Sequence, residues 1–154
     1  MAKNRFLAAH TLAFTACAVA LLAMPVRADT IQDASLLLKQ GQYAQALEQV
    51  DKYLSGKPKD AQARFLKGVI LTEMNKPNDA IAVFIKLSED HPELPEPYNN
   101  LAVVYAQQRQ YEKAKQALEM AIRTHPSYAT AHENLGDIYA RLASQAYDKA
   151  LQID

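Results

Sequence analysis

Apolar side chains recur three and four residues apart along this chain, and short polar breaks interrupt them; this is the pattern of amphipathic helices, not of strands. Tyr98, Leu101, Ala102 and Tyr105 fall at i, i+3, i+4 and i+7, on one helical face. The polar stretch Gln107-Gln108-Arg109-Gln110 ends that face. A second face then carries Tyr111, Ala114, Leu118, Ala121 and Ile122 and stops before His125-Pro126. Helix, turn, helix is predicted. Upstream, turns are predicted at Gln40-Gly41-Gln42 and Asn75-Lys76-Pro77-Asn78, with Pro77 placed to open a helix in its first turn.

These hairpins repeat in register. The interval from Pro58 to Pro92 recurs from Pro92 to Pro126, and the same interval separates Ala46, Ala80 and Ala114, and Gly68, Ala102 and Gly136. Such a period marks an array of helical hairpins, predicted at about 30–60, 61–94 and 95–128, with a partial unit from 129 to 154. The prolines stop each unit because proline cannot continue the helical hydrogen-bond ladder. The small residues let the two helices of a hairpin approach closely, while Phe65, Tyr98, Phe84, Leu118, Tyr105 and Tyr139 fill the space beside them.

The last unit breaks the pattern. From Ala131 onward no Gly, Pro or Asn stands where the turn should be, while Leu135, Tyr139, Leu142, Ala146 and Ala150 keep a helical stripe. One unbroken helix from about Thr130 to Gln152 is predicted. Its apolar side at Tyr147, Ala150 and Leu151 calls for cover, since solenoids end in a polar cap, and it offers a surface for homodimerisation through the C-terminal helix.

The third unit carries Tyr98, Leu101-Ala102, Tyr105, Tyr111, Ala114, Leu118, Ala121 and Pro126. The second carries Gly68, Leu71, Ala80, Phe84 and Pro92, with Arg64 in place of an early aromatic. The first carries Gly41, Tyr43, Ala46, Leu47 and Pro58. In these positions the chain resembles the tetratricopeptide repeat (TPR) family over essentially all of residues 30 to 154. The resemblance implies an all-α, right-handed superhelical solenoid of three full repeats plus a long C-terminal helix. It also implies a concave groove, lined by the first helices, that takes a peptide or protein partner.

Carried over slot by slot, the groove comprises Ile31, Gln32 and Ser35, then Phe65, Leu66, Val69 and Glu73. Asn99, Asn100, Val103 and Gln107 follow from the third unit, and Glu133, Asn134, Asp137 and Arg141 from the fourth. Asn100 and Asn134 share a slot one repeat apart. A carboxamide both donates and accepts, so the pair suits an extended peptide backbone; solvation or local capping is the competing reading. Phe65, Leu66, Val69 and Val103 would form an apolar floor, although Val69 and Val103 suit packing between units equally well. TPRs that grip the C-terminal carboxylate of cytosolic heat-shock chaperones use cationic residues here. Ile31, Ser35, Leu66 and Glu96 provide no such clamp.

Residues 1–28 lie outside the repeat register. Lys3 and Arg5 precede an uncharged run from Phe6 to Ala23, Met24-Pro25 breaks it, and Val26-Arg27-Ala28 resembles a signal-peptidase site. Cleavage before Asp29 and a periplasmic location are expected for the mature domain, 29–154; the alternative is an inner-membrane anchor formed by residues 6–24. A lipoprotein reading through Cys17 fits poorly, because Phe14 replaces the usual Leu and Cys17 lies midway along the apolar run.

Lys+Arg and Asp+Glu both number 17, so losing Lys3, Arg5 and Arg27 leaves a net charge of −3. Without a long basic stretch, neither nucleic acid nor anionic lipid is the expected partner. The one cysteine would leave with the leader, so the mature chain suits an oxidising compartment. No nucleophile elbow, phosphate loop or HExxH motif occurs, and no catalytic residue, cofactor or metal is expected. His91 and His125 read as helix-end residues, favourable near exposed carbonyls. His132, Glu133 and Asp137 read as solvated. The function implied is a non-enzymatic adaptor for a protein or peptide of the cell envelope. The alternative is the N-terminal interaction module of a longer exported enzyme or sensor.

Overall fold

The computed structural model describes residues 31–153; the expected leader, residues 1–28, lies outside them. Among the described residues seven α-helices follow one another: α1 (Ile31–Lys39), α2 (Tyr43–Gly56), α3 (Ala61–Glu73), α4 (Pro77–Asp90), α5 (Pro95–Gln107), α6 (Tyr111–Thr124) and α7 (Ala129–Leu151). The described residues contain no strand. Each helix packs on the next, and α1, α3, α5 and α7 also touch in succession. Among the described residues, no corresponding contact joins the second helices α2, α4 and α6. The first helices therefore form the closer-packed, inner side of a TPR-type helical solenoid.

The turns inside the hairpins repeat as faithfully as the prolines. Gly41, Asn75 and Arg109 have φ of 73°, 54° and 60°, and they too stand one repeat apart. In each turn the following amide donates back to the helix just ended: Gln42 to Leu37, Lys76 to Leu71 and Gln110 to Tyr105, all at 2.9 Å. This is the left-handed C-terminal cap that satisfies orphan carbonyls and reverses the chain. Glycine and asparagine fit that conformation readily; Arg109 does not, and nothing in its composition betrayed the role.

The core follows the small-residue slots. Ala46, Ala80 and Ala114 are fully buried, and Phe84, Leu118 and Val50 fill the space around them. A Cβ built on Gly68 would stand 2.5 Å from Phe84 Cε1, so only glycine lets α3 and α4 approach this closely. Pro77 and Pro95 open α4 and α5, where a missing amide hydrogen costs nothing. Asp60 caps α3 by accepting from Ala63 N at 2.8 Å, and it also takes the Tyr53 hydroxyl at 3.2 Å.

Two expectations for the last unit need correction. A Cβ at Gly136 would meet nothing within 4 Å, because α7 runs straight on and no second helix lies against that slot among the described residues. The covered face of α7 is Ala131 and Ile138, with Leu135 and Leu142 half-buried; Tyr139 is 51% exposed and fills no core space. The unbroken helix itself is present. Tyr147 and Leu151 are exposed.

Candidate functional site

Successive first helices leave cavities between them on the inner side. Between α1 and α3 a cavity of about 190 Å³ is lined by Ile31, Gln32, Ser35, Gln62, Phe65 and Leu66. Between α5 and α7 one of about 210 Å³ is lined by Val103, Gln107, Asn134 and Asp137, over Ala102, Ala106, Leu118 and Ile138. A third, of about 420 Å³, sits where α3, α4 and α5 meet; Phe65, Leu87, Leu94 and Pro97 form its floor, and Gln62 and Glu96 its rim. Phe65 belongs to two of these cavities, with its ring centroid 5.9 Å from that of Phe84.

A larger cavity of about 520 Å³ lies between the start of α6 and the later part of α7. Its walls include Arg109, Glu112, Lys113 and Lys149, and it draws on none of the groove slots. It is an open, charged crevice left where α7 outruns α6. Side-chain convergence, not volume, identifies the candidate site.

Most sequence-derived positions are brought together, though not all as expected. Phe65 and Leu66 share one cavity; Val103, Gln107, Asn134 and Asp137 share another. Val69 is half-buried against the core and lines no described cavity. Arg141 is exposed on α7, one helical turn beyond Asp137.

Asn99 is the clear correction. It is buried and accepts a 2.8 Å hydrogen bond from Asn134 Nδ2, so it joins α5 to α7 and does not face a ligand. Asn100 Nδ2 donates to the Glu96 carbonyl at 2.9 Å, one turn back on its own helix. Each member of the Asn100–Asn134 pair has therefore committed one N–H within the protein. What remains to a ligand at each is the second amide hydrogen and the carbonyl oxygen.

The site's charge is sparse and uneven. Its N-terminal socket is uncharged, setting Ile31, Phe65 and Leu66 beside Gln32, Ser35 and Gln62; its C-terminal socket carries Gln107, Asn134 and the carboxylate of Asp137 over an apolar floor. Within the second unit, Arg64 of α3 holds Asp90 at the end of α4 at 2.8 Å, and Lys86 of α4 reaches the same carboxylate at 3.0 Å. Their hydrogen bonds, Arg64's first, hold Asp90 below the ordinary carboxylate range. The arginine in the aromatic slot thus pins the end of α4. Burial, and then the Glu96 charge, push the Tyr128 hydroxyl above its ordinary value, so it stays neutral. Among the described residues, no group of three or more His, Cys, Asp or Glu is placed to hold a metal ion. Apolar sockets with amide rims can bind side chains and backbone; they offer no nucleophile paired with a base.

Comparison with known proteins agrees with this architecture. A curated relative, the tetratricopeptide repeat domain-containing protein PYG7, chloroplastic, of Arabidopsis thaliana, is 35% identical over 74 residues, 45% of this chain and 25% of that protein. The match spans a quarter of that relative's length. YrrB, described as a TPR protein with an unusual peptide-binding site, superposes with a TM-score of 0.64 at 26% identity, covering 67% of this chain and 53% of its own. The first TPR domain of human RPAP3 gives 0.70 at 18% identity, covering 76% and 92%, and shows the fold alone. The family profile described as the Psidin N-terminal TPR repeats region matches residues 33–153, and the chain belongs to the tetratricopeptide repeat family.

Proposed function

We propose that this protein is a non-enzymatic adaptor, exported to the periplasm, that binds an extended peptide or protein segment of the cell envelope through its inner groove. One observation carries the reading: side chains from separate repeats converge on small sockets along a single face. Two structural neighbours support the class of ligand. YrrB is described by its peptide-binding site, and the first TPR of Spaghetti (RPAP3) is described bound to the HSP90 peptide SRMEEVD. The ligand here differs from that acidic peptide. Ile31, Ser35, Leu66 and Glu96 supply no cation for a terminal carboxylate, and Asp137 and Glu96 would repel one. An apolar stretch for the α1–α3 socket, followed by neutral or basic residues for the α5–α7 socket, fits the lining.

The test is a peptide array probed with the wild-type protein and with Gln107→Lys/Asp137→Lys, a pair of exposed positions whose change leaves the core intact. Apolar-then-basic peptides should bind the wild type and be lost by the variant, while SRMEEVD should not bind the wild type. Equal binding by both proteins would remove the groove from the reading. Export is tested separately, by N-terminal sequencing of periplasmic material, which should begin at Asp29. A second reading, an interaction module within a longer exported enzyme or sensor, draws support from the plant relative, of which only 25% is matched. The reading frame beyond Asp154 decides between the two.

A further inference from the structure

In every complete hairpin a small residue on the first helix is followed sixteen residues later by a buried large one on the second: Ala34 by Val50, Gly68 by Phe84, Ala102 by Leu118. The last unit keeps both partners but not the spacing. Gly136 is followed by Tyr147 after only eleven residues. Around Tyr147 the sequence Ala146-Tyr147-Asp148-Lys149-Ala150-Leu151 reads as the later half of a second helix. It aligns with Ala117-Leu118-Glu119-Met120-Ala121-Ile122, and its Asp148-Lys149 repeats Asp51-Lys52. What is missing is the stretch equivalent to Gln110–Ala114, the end of the turn and the first turn of the second helix. Ala143 also stands one full repeat after Arg109, where each earlier unit turns through a left-handed residue, and alanine resists that conformation.

So α7 holds both halves of a hairpin with no means of folding one onto the other. Within one chain Gly136 and Tyr147 are about 16 Å apart along a straight helix. The Gly136 slot is open to at least 4 Å, and Tyr147 is 73% exposed. A helical glycine costs about 1 kcal/mol against alanine, a cost that Gly68 offsets by close packing and that Gly136 does not offset among the described residues.

We propose that a second copy of this chain docks antiparallel on the exposed face of α7, so that each Tyr147 fills the partner copy's Gly136 slot as Phe84 fills that of Gly68. The occupant follows from self-complementarity. A two-fold axis that sets Tyr147 over Gly136 also sets Ala140 against Ala143, small against small, at the point of closest approach. Each contact is made twice. The arrangement is a swapped hairpin, the usual consequence of a connection too short to fold back. Tyr139, Tyr147, Leu151 and the alanines between them would bury on the order of 1,000 Å² across the pair, enough for a specific interface at the small end of the range. The same contacts cover the face of α7 that stands exposed among the described residues.

Sedimentation equilibrium across the micromolar range tests this on the purified protein, with two variants. Tyr147→Asp alters an exposed position and leaves α1–α6 untouched. The other variant inserts a copy of Gln110–Ala114 between Ala143 and Ser144, together with Ala143→Gly, which restores the turn and the sixteen-residue spacing. The wild type should show twice the monomer mass, and both variants the monomer mass with helical circular dichroism retained. In a Cys17→Ser background, Gly136→Cys/Tyr147→Cys should form an interchain disulfide under mild oxidation, visible as a covalent dimer. A monomeric wild type overturns the proposal. So does a dimer that persists in the insertion variant, since a closed hairpin has nothing left to exchange.

Discussion

Asn134 on α7 donates from Nδ2 to Oδ1 of Asn99 on α5 at 2.8 Å, across 35 residues of sequence. Asn99 is only 6% exposed, so this is a buried polar link between the third unit and the terminal helix, placed directly beside the α5–α7 socket. It holds the Asn134 carboxamide at one edge of the groove.

Removing one partner leaves the other with an unmet hydrogen bond. Asn99→Ala should therefore lower unfolding stability by about 1–3 kcal/mol, read from urea denaturation. Combined with Asn134→Ala in a double-mutant cycle, the two should show a coupling of about 1 kcal/mol. Strict additivity would mean that the bond does not join the units.

The two glycines on first helices should respond with opposite sign. Gly68→Ala places a Cβ 2.5 Å from the fully buried Phe84 ring, which must shift to admit it. Overpacking outweighs the gain in helix propensity, for a net loss of about 1–2 kcal/mol. Gly136→Ala meets nothing, so at concentrations dilute enough to keep the chain monomeric it should gain up to about 1 kcal/mol. Equal effects at both sites would contradict the open slot on α7.

Periodicity made the hairpins, the turn positions and the length of α7 legible, because each rests on spacing alone. It could not show which way a slot faces when its partner helix is absent. Gly136 and Tyr139 occupy slots equivalent to Ala102 and Tyr105 on α5, yet with no second helix against α7 among the described residues they stand open to solvent. Asn99 was misplaced for a related reason: one residue separates a groove slot from an inter-repeat slot, and asparagine suits both. The Arg64–Asp90 pair joins residues 26 apart, and no periodic signal announces it.

Asp60 serves both units it stands between. Its carboxylate caps α3 through the Ala63 amide and receives the Tyr53 hydroxyl from α2. Asp60→Ala should cost about 0.5–2 kcal/mol, and Asp60→Asn, which keeps an acceptor for Ala63 N, should recover most of it. Thermal melts of the two variants provide the comparison. If Asp60→Asn fails as badly as Asp60→Ala, the cap is not the source of the loss.

Acid should loosen the tie between α3 and the end of α4 in the second unit. Asp90 is held below its ordinary value of 3.8 by hydrogen bonds from Arg64 and Lys86. A group whose folded value is depressed contributes stability fully above its unfolded value, and loses it as pH falls through the folded value. The contribution is therefore present from neutral pH down to about 4 and fades below it. The carboxylate is partly exposed, so the effect is small and salt-sensitive. Wild type and Asp90→Asn should differ in melting temperature at neutral pH and converge as the pH drops well below 3.8. A difference unchanged at low pH would assign it to packing.

Arg109 is the least comfortable turn residue. It adopts φ of 60° where the first unit uses Gly41 and the second uses Asn75. For a side-chain-bearing residue that conformation costs about 1–2 kcal/mol, whereas glycine adopts it freely but loses more entropy on folding. The balance predicts that Arg109→Gly stabilises the third hairpin by about 0.5–1 kcal/mol, the two effects partly offsetting. Urea midpoints at constant m-value measure it. A loss instead would mean that the arginine side chain, at the rim of the crevice between α6 and α7, makes contacts worth more than the backbone strain it imposes.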